Sequence, residues 1–217
     1  MTPQPHSLLA AARQTAEILG MPWADFFKYY RDLQIEPTFD EKGNQTSPHN
    51  WLPKSQGRNI WAAHPNYIAR LLCAIGGTEQ PGLARAAVDW TRDLTPNGRQ
   101  MHITELPAAN VPAPIEEVFF RYLVDPQAAS ELANVEFRPD ELTVIFNLKS
   151  GQPIVYARHN KHGEGRSDPP QRYNGISRRG VIDGLVFVFL ARAVVWRRSD
   201  QSPLNKGEEN DPDANQA

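Results

Sequence analysis

Of the 217 residues only one, Cys73, is a cysteine. A disulfide within the chain is therefore excluded, and the fold has to be held by packing and polar contacts. The thiol sits in Ile68-Ala69-Arg70-Leu71-Leu72-Cys73-Ala74-Ile75, an apolar context in which burial as a small hydrophobe is expected. Long hydrophobic runs are missing too. The longest, Leu185 to Ala191, reaches only Trp196 when Arg192 is included, short of the ~20 residues of a membrane-spanning helix. The opening Met-Thr-Pro-Gln-Pro-His lacks the basic and apolar segments of a secretory leader, so a cytoplasmic location with no membrane partner is expected. An excess of positive charge is absent as well. The formal net charge is −2, so any contact with nucleic acid has to come from a local patch.

The motifs of common enzyme chemistry are also lacking. The chain has no nucleophile elbow, no phosphate-binding glycine loop and no His-Glu-x-x-His. Glu116 and Glu117 are adjacent on an expected helix, where neighbours point about 100° apart, which makes a poor catalytic pair. His159 and His162 are spaced like some zinc ligands but have no third ligand near them in sequence. No catalytic activity, cofactor, metal or small-molecule ligand is therefore expected. Asp183, inside an otherwise apolar element, is expected to be paired with a neighbouring arginine.

What the chain does have is proline, 19 residues of it, mostly between apolar stretches with helical spacing. Leu8, Ala12, Ala16 and Leu19 share one helix face, with Ser7 as the N-cap and Gly20 closing the helix. Pro22 suits the start of a second helix, whose Phe26, Tyr29 and Leu33 face inward. Residues 37–60 form a loop or a hairpin-like wing. Ile68, Leu71, Leu72 and Ile75 mark a third helix, which His64 starts. Leu83, Ala87, Trp90 and Leu94 mark a fourth, from Pro81 to Leu94. A fifth runs from Ile115 to Val124. The period then changes to two. Residues 135–138, 142–148 and 153–158 read as strands, with a hairpin turn at 149–152.

The last apolar element, 178–198, reads as a buried helix, with one or two strands as the alternative. The fold class is thus α+β, predominantly α. A helical domain over 1–104 begins like a helix-turn-helix. A Pro-rich linker spans 105–114. A small unit over 115–198 combines a β-hairpin with a long apolar helix. A disordered tail covers 199–217.

Residues 12–33 carry the feature with a mechanism attached. Ala16 is the small residue where two helices approach, Leu19-Gly20-Met21 is the turn, and Phe26 and Tyr29 point inward. Trp23, Ala24, Lys28, Tyr30 and Arg31 are left near the outer face, where they could meet bases or phosphates. A second patch lies between Arg158 and Arg198, with nine Lys/Arg against three acids. From it Arg166, Arg172, Arg178 and Arg179 are candidates for phosphate contact.

Leu19-Gly20-Met21-Pro22 followed by Phe26-x-x-Tyr29-x-Arg31-x-Leu33 resembles the DNA-binding segment of bacterial and phage helix-turn-helix regulators. Trp51-Leu52-Pro53-Lys54 and the helix from Tyr67 to Ile75 are similar to small prophage-borne proteins that begin the same way. The likeness covers residues 12–94. It implies a prophage or mobile-element gene product acting on DNA or on a DNA-handling complex, and the reading adopted is a regulator that binds double-stranded DNA. The poorly covered apolar element at 181–196 adds the expectation of a homodimer. The rival reading is a non-catalytic interaction or scaffold protein whose hairpin packs on protein. A continuous positive face joining Lys28, Arg31 and residues 158–179 would speak for DNA. Trp23 and Phe27 packed against the rest of the chain would speak against DNA.

Overall fold

A computed structural model describes residues 6–54, 59–99, 112–158, 179–196 and 204–205. The chain starts with α1 (Leu8–Ile18) and α2 (Trp23–Asp32). The Ser7 hydroxyl accepts the Ala10 N–H at 3.1 Å and fixes the start of α1. Gly20 takes φ +66° between the two helices, a conformation that a Cβ disfavours. After the loop come β1 (Asn59–Ile60), α3 (Pro65–Gly77), α4 (Ala84–Arg92) and β2 (Leu94–Pro96). His64 caps α3, its Nδ1 accepting from the Asn66 N–H. The second half runs α5 (Pro114–Val124), α6 (Pro126–Glu131), β3 (Leu132–Arg138), β4 (Thr143–Leu148), β5 (Ile154–Arg158), β6 (Gly180–Asp183), α7 (Gly184–Ala193) and β7 (Leu204–Asn205).

Five strands form one antiparallel sheet in the order β2-β5-β4-β3-β6. Val135, Phe137, Val144, Phe146, Tyr156 and Ile182 are buried, while Glu136, Arg138 and Ile145 on alternating positions are partly exposed. That alternation is what an antiparallel sheet covered on one face requires. The cover is aromatic. Phe119 of α5 lies 5.0 Å from Phe146 and 5.9 Å from Phe187 of α7, ring centre to ring centre. One hydrophobic core runs from Leu8 to Val194 and draws on elements either side of residues 105–114. Cys73 is buried within it. Among the described residues no helix is long and apolar enough to cross a membrane.

A mixed helix-and-sheet protein is thus present, but the expected predominance of helix gives way to a more even balance with a five-stranded sheet, and several finer expectations need correction. The β4–β5 hairpin is not an isolated pair; it is the middle of a sheet that also recruits β2 from the first half of the chain. The long apolar helix is replaced by a strand, β6, and a helix of only 10 residues, α7. The break comes at Asp183. Its backbone is extended and its Oδ1 accepts the Leu185 N–H at 2.7 Å. An acid that caps a helix in this way stays in water, so Asp183 is exposed rather than buried against an arginine. Leu83 also departs from its expected inward place. It belongs to a 3₁₀ turn, Pro81–Leu83, and is half exposed because α4 starts only at Ala84. In the expected disordered tail, Leu204–Asn205 pair with Asn59–Ile60. The rest of that tail and residues 105–111 lie outside the described residues.

The end of α3 meets the sheet backbone to backbone. A Cβ on Gly180 would overlap the Gly76 carbonyl, and one on Gly76 would overlap the Phe137 ring. Overfilling such a contact costs about 1–3 kcal/mol. Gly180→Ala is therefore expected to lower the unfolding free energy measured in urea by about 1–3 kcal/mol. Gly82→Ala, where nothing lies within 4 Å of the new methyl, is expected to stay within about 0.5 kcal/mol of the parent.

Candidate functional site

The α1–α2 hairpin presents an ordered outer surface. Trp23, Phe27 and Arg31 are four residues apart, so they stand above one another on α2. The Trp23 and Phe27 rings lie 5.2 Å apart. The Arg13 guanidinium from α1 sits 5.3 Å from the Trp23 ring, and that of Arg31 sits 5.8 Å from the Phe27 ring. The result is a continuous Arg13–Trp23–Phe27–Arg31 stack. Both arginines are exposed, and both aromatics are half-buried and packed on the core.

Lys28 and Ala24 complete the outer face, both exposed as expected. The Lys28 Nζ is 2.8 Å from Asp25 Oδ1. Exposed pairs of this kind contribute about 0–1 kcal/mol, so Lys28 can be released at little cost. Exposed Asp25 pairs with Lys28, and exposed Glu17 lies one helical turn from Arg13 on α1. Tyr30 is a correction. It was expected on the outer face, yet it is only 4% exposed. α2 packs on α1 on one side and on the Pro81–Leu83 turn, α3 and α4 on others, so its buried arc is wide enough to take Tyr30 as well as Phe26, Tyr29 and Leu33. Burial pushes the Tyr30 phenol up to about 12, against a smaller opposing effect from Gln34.

The turn of this hairpin borders one of two hollows that share Ile75, Gly76 and Gly180. One, of about 430 Å³, lies between Leu19–Pro22 and Gly180–Ile182, with Ile75 and Gly76 as its floor. The other, about 280 Å³, continues past Gly76 and Gly77 to Leu83, Trp90, Asp140 and Arg179. Tyr29 donates its hydroxyl to the Thr78 carbonyl at 3.0 Å and ties α2 to this region. Arg179 is half-exposed, with one guanidinium nitrogen 3.3 Å from Glu136 Oε1. Hydrogen bonds from Arg138, with the charges of Arg138 and Arg179, hold the Glu136 carboxyl below its usual range. The remaining candidates Arg166, Arg172 and Arg178, and the pair His159 and His162, lie outside the described residues. Among the described residues no group of three or more His, Cys, Asp or Glu is placed to hold a metal ion.

The sequence reading missed the most charged place in the core. Arg70 of α3, Arg92 of α4 and Glu116 of α5 meet in a buried cluster. Arg70 Nε donates to Glu116 Oε1 at 2.8 Å, and Arg92 donates to the same oxygen. The other oxygen accepts the Ala113 N–H at 2.9 Å. Trp51 lies over both cations, 4.5 Å from Arg92 and 5.4 Å from Arg70. Its carbonyl accepts from Arg70, and its indole N–H donates to Asp89 Oδ1 at 2.8 Å. One signal was in view: Arg70 stands in a run that is apolar on all sides, where a cation needs a buried partner. Both Glu116 oxygens are engaged and neither hollow reaches them. The cluster therefore holds helices together and has no face open to a substrate.

The chain matches no protein-family model, no curated protein and no solved structure. What the surface does has to follow from its geometry.

Two outcomes follow from the charges. Glu116→Gln leaves two buried guanidinium groups short of their counter-charge and is expected to cost about 3–5 kcal/mol in urea unfolding. Burial raises the Asp89 carboxyl above its ordinary 3.8, partly opposed by the Trp51 hydrogen bond. A raised folded value means that the folded state holds the proton more tightly, so this group's contribution to stability falls as pH rises from about 3.8 through the folded value. Asp89→Asn keeps an acceptor for Trp51. It is expected to raise the melting temperature at pH 7, and the gain should vanish below the unfolded value, where Asp89 is protonated in both states.

Proposed function

We propose that this chain is a non-catalytic interaction protein that binds a protein partner through the outer face of α2. The observation that carries the reading is the Arg13–Trp23–Phe27–Arg31 stack. Trp and Arg are the residue types that dominate protein contact energies. Here each ring is already held by its neighbours, so little side-chain freedom is left to lose on binding. Around the stack three exposed cations stand against two exposed acids, Glu17 and Asp25, a balance that suits a mixed polar rim. Trp23 and Phe27 rest on the core, the arrangement expected to count against a DNA-reading face.

A second reading, a regulator that lays α2 on double-stranded DNA, is favoured by the exposure of Lys28 and Arg31 beside Arg13. Its difficulty is electrostatic. Affinity for duplex rests on the number of phosphates neutralised, and Asp25 and Glu17 offset two of the three cations. Tyr30, beneath the surface, offers nothing to a base.

The two readings separate in a paired experiment. A photo-crosslinking residue at exposed Ala24 is expected to join a specific protein in cells. Trp23→Ala with Arg31→Ala should abolish that crosslink while the circular dichroism stays unchanged. In anisotropy titrations, fluorescent duplex should show no saturable binding at ~100 mM salt. Duplex binding with a steep negative salt dependence, flattened by Lys28→Glu and Arg31→Glu, would overturn the protein reading in favour of DNA.

A further inference from the structure

We infer that two copies of this chain pair through α7, antiparallel and about a twofold axis. The inner side of α7 is fully used: Val186, Phe187, Leu190 and Val194 are buried in the core. Its outer side carries two large apolar residues one turn apart, Leu185 at 55% and Phe189 at 53% exposure. The strand that leads into it adds Val181, also exposed. This stripe has a charge at each end. Asp183 at the start is exposed and engages one carboxylate oxygen in the Leu185 cap. Arg192 in the last turn is exposed and makes no ion pair with any described residue. Leu185, Phe189 and Arg192 share the outer face of the helix, and with Asp183 as the N-cap the order along its axis is acid, apolar, apolar, base.

That order selects the occupant. It is its own complement when the second helix runs the other way, and an isologous contact needs such self-complementarity. With the axis beside the midpoint of Leu185 and Phe189, Leu185 packs on Phe189 of the partner subunit, and the reverse. At about 1.5 Å rise per residue, Asp183 lies about 6 Å along the helix from the axis. Arg192 of the partner subunit lies about 7.5 Å from the axis in the same direction, within reach of a long side chain. A parallel pair would instead set acid against acid and base against base. The opposed helix dipoles of the antiparallel pair also attract. The pairing does not depend on what the outer face of α2 binds.

The contact is small beside the ~800 Å² per partner of a standard interface. The full-length chain is therefore expected to pass from monomer to dimer between about 1 µM and about 1 mM in sedimentation equilibrium. Phe189→Lys and Leu185→Lys, at exposed sites, should each raise the dimer dissociation constant at least about tenfold with melting temperature unchanged. The register is tested by exchange of charge. Arg192→Asp and Asp183→Lys should each weaken self-association, and an equimolar mixture of the two should restore it, because both cross-pairs are then opposite in sign. A monomer at every concentration, a dimer indifferent to Phe189→Lys, or a mixture no better than its components would overturn the proposal.

Discussion

The carboxylate of Glu116 is the constraint on which the rest of the architecture depends. It joins α3 and α5 through Arg70, 46 residues away in sequence, and α4 through Arg92, 24 residues away. Two cations share one buried anion, an arrangement that costs desolvation energy. The cost is offset by directed contacts: the Ala113 N–H on the second oxygen, the Trp51 carbonyl on Arg70, and the Trp51 ring over both guanidinium groups. An apolar replacement could fill the same volume in many ways, because dispersion has no direction. The ion cluster satisfies its donors in one arrangement of three helices. The end of α3 then meets β6 with glycine against glycine.

Much of the helical half was legible because its signals are local. The inward spacing of Leu8, Ala12 and Ala16, the positive φ of Gly20, and the caps at Ser7 and His64 each involve residues within one or two turns. The turn at 149–152 between β4 and β5 was legible for the same reason. What escaped was decided at a distance. Residues 94–96 form a strand only because β5 offers them an edge. The split at Asp183 follows from the pairing of residues 180–183 with β3, after which the acid caps a helix in water. Composition showed an acid in an apolar run and suggested a buried pair, since it does not reveal where a strand ends.

The contact surface shows the same division. Helical spacing placed Trp23, Lys28 and Arg31 outward; Lys28 and Arg31 are exposed, while Trp23 is half-buried against the core. It also placed Tyr30 there, because a single apolar stripe on α2 was assumed. α2 is wedged among several neighbours, which widens its buried arc until Tyr29 and Tyr30 are both inside. The stacking of Arg13 on Trp23 could not be read from α2 alone, because it depends on how closely α1 crosses it.

The two surfaces differ in the physics they offer a partner, and that difference bears on how they would act together. The α7 stripe is apolar with one charge at each end, which suits a copy of itself. The α2 face is an aromatic and arginine stack with nearly balanced charge, which suits a partner with its own anchors rather than a uniform polyanion. Pairing through α7 would give each assembly two α2 faces. If one partner molecule or assembly presents two matching sites within their span, the second contact becomes intramolecular, and a weak face gains avidity without any new contact of its own. The same doubling would strengthen duplex binding only so far as each face is positive. With Asp25 and Glu17 beside Arg13, Lys28 and Arg31, a second copy adds little net charge and a full second set of aromatic anchors. Dimerisation therefore strengthens the protein-binding reading more than the nucleic-acid one.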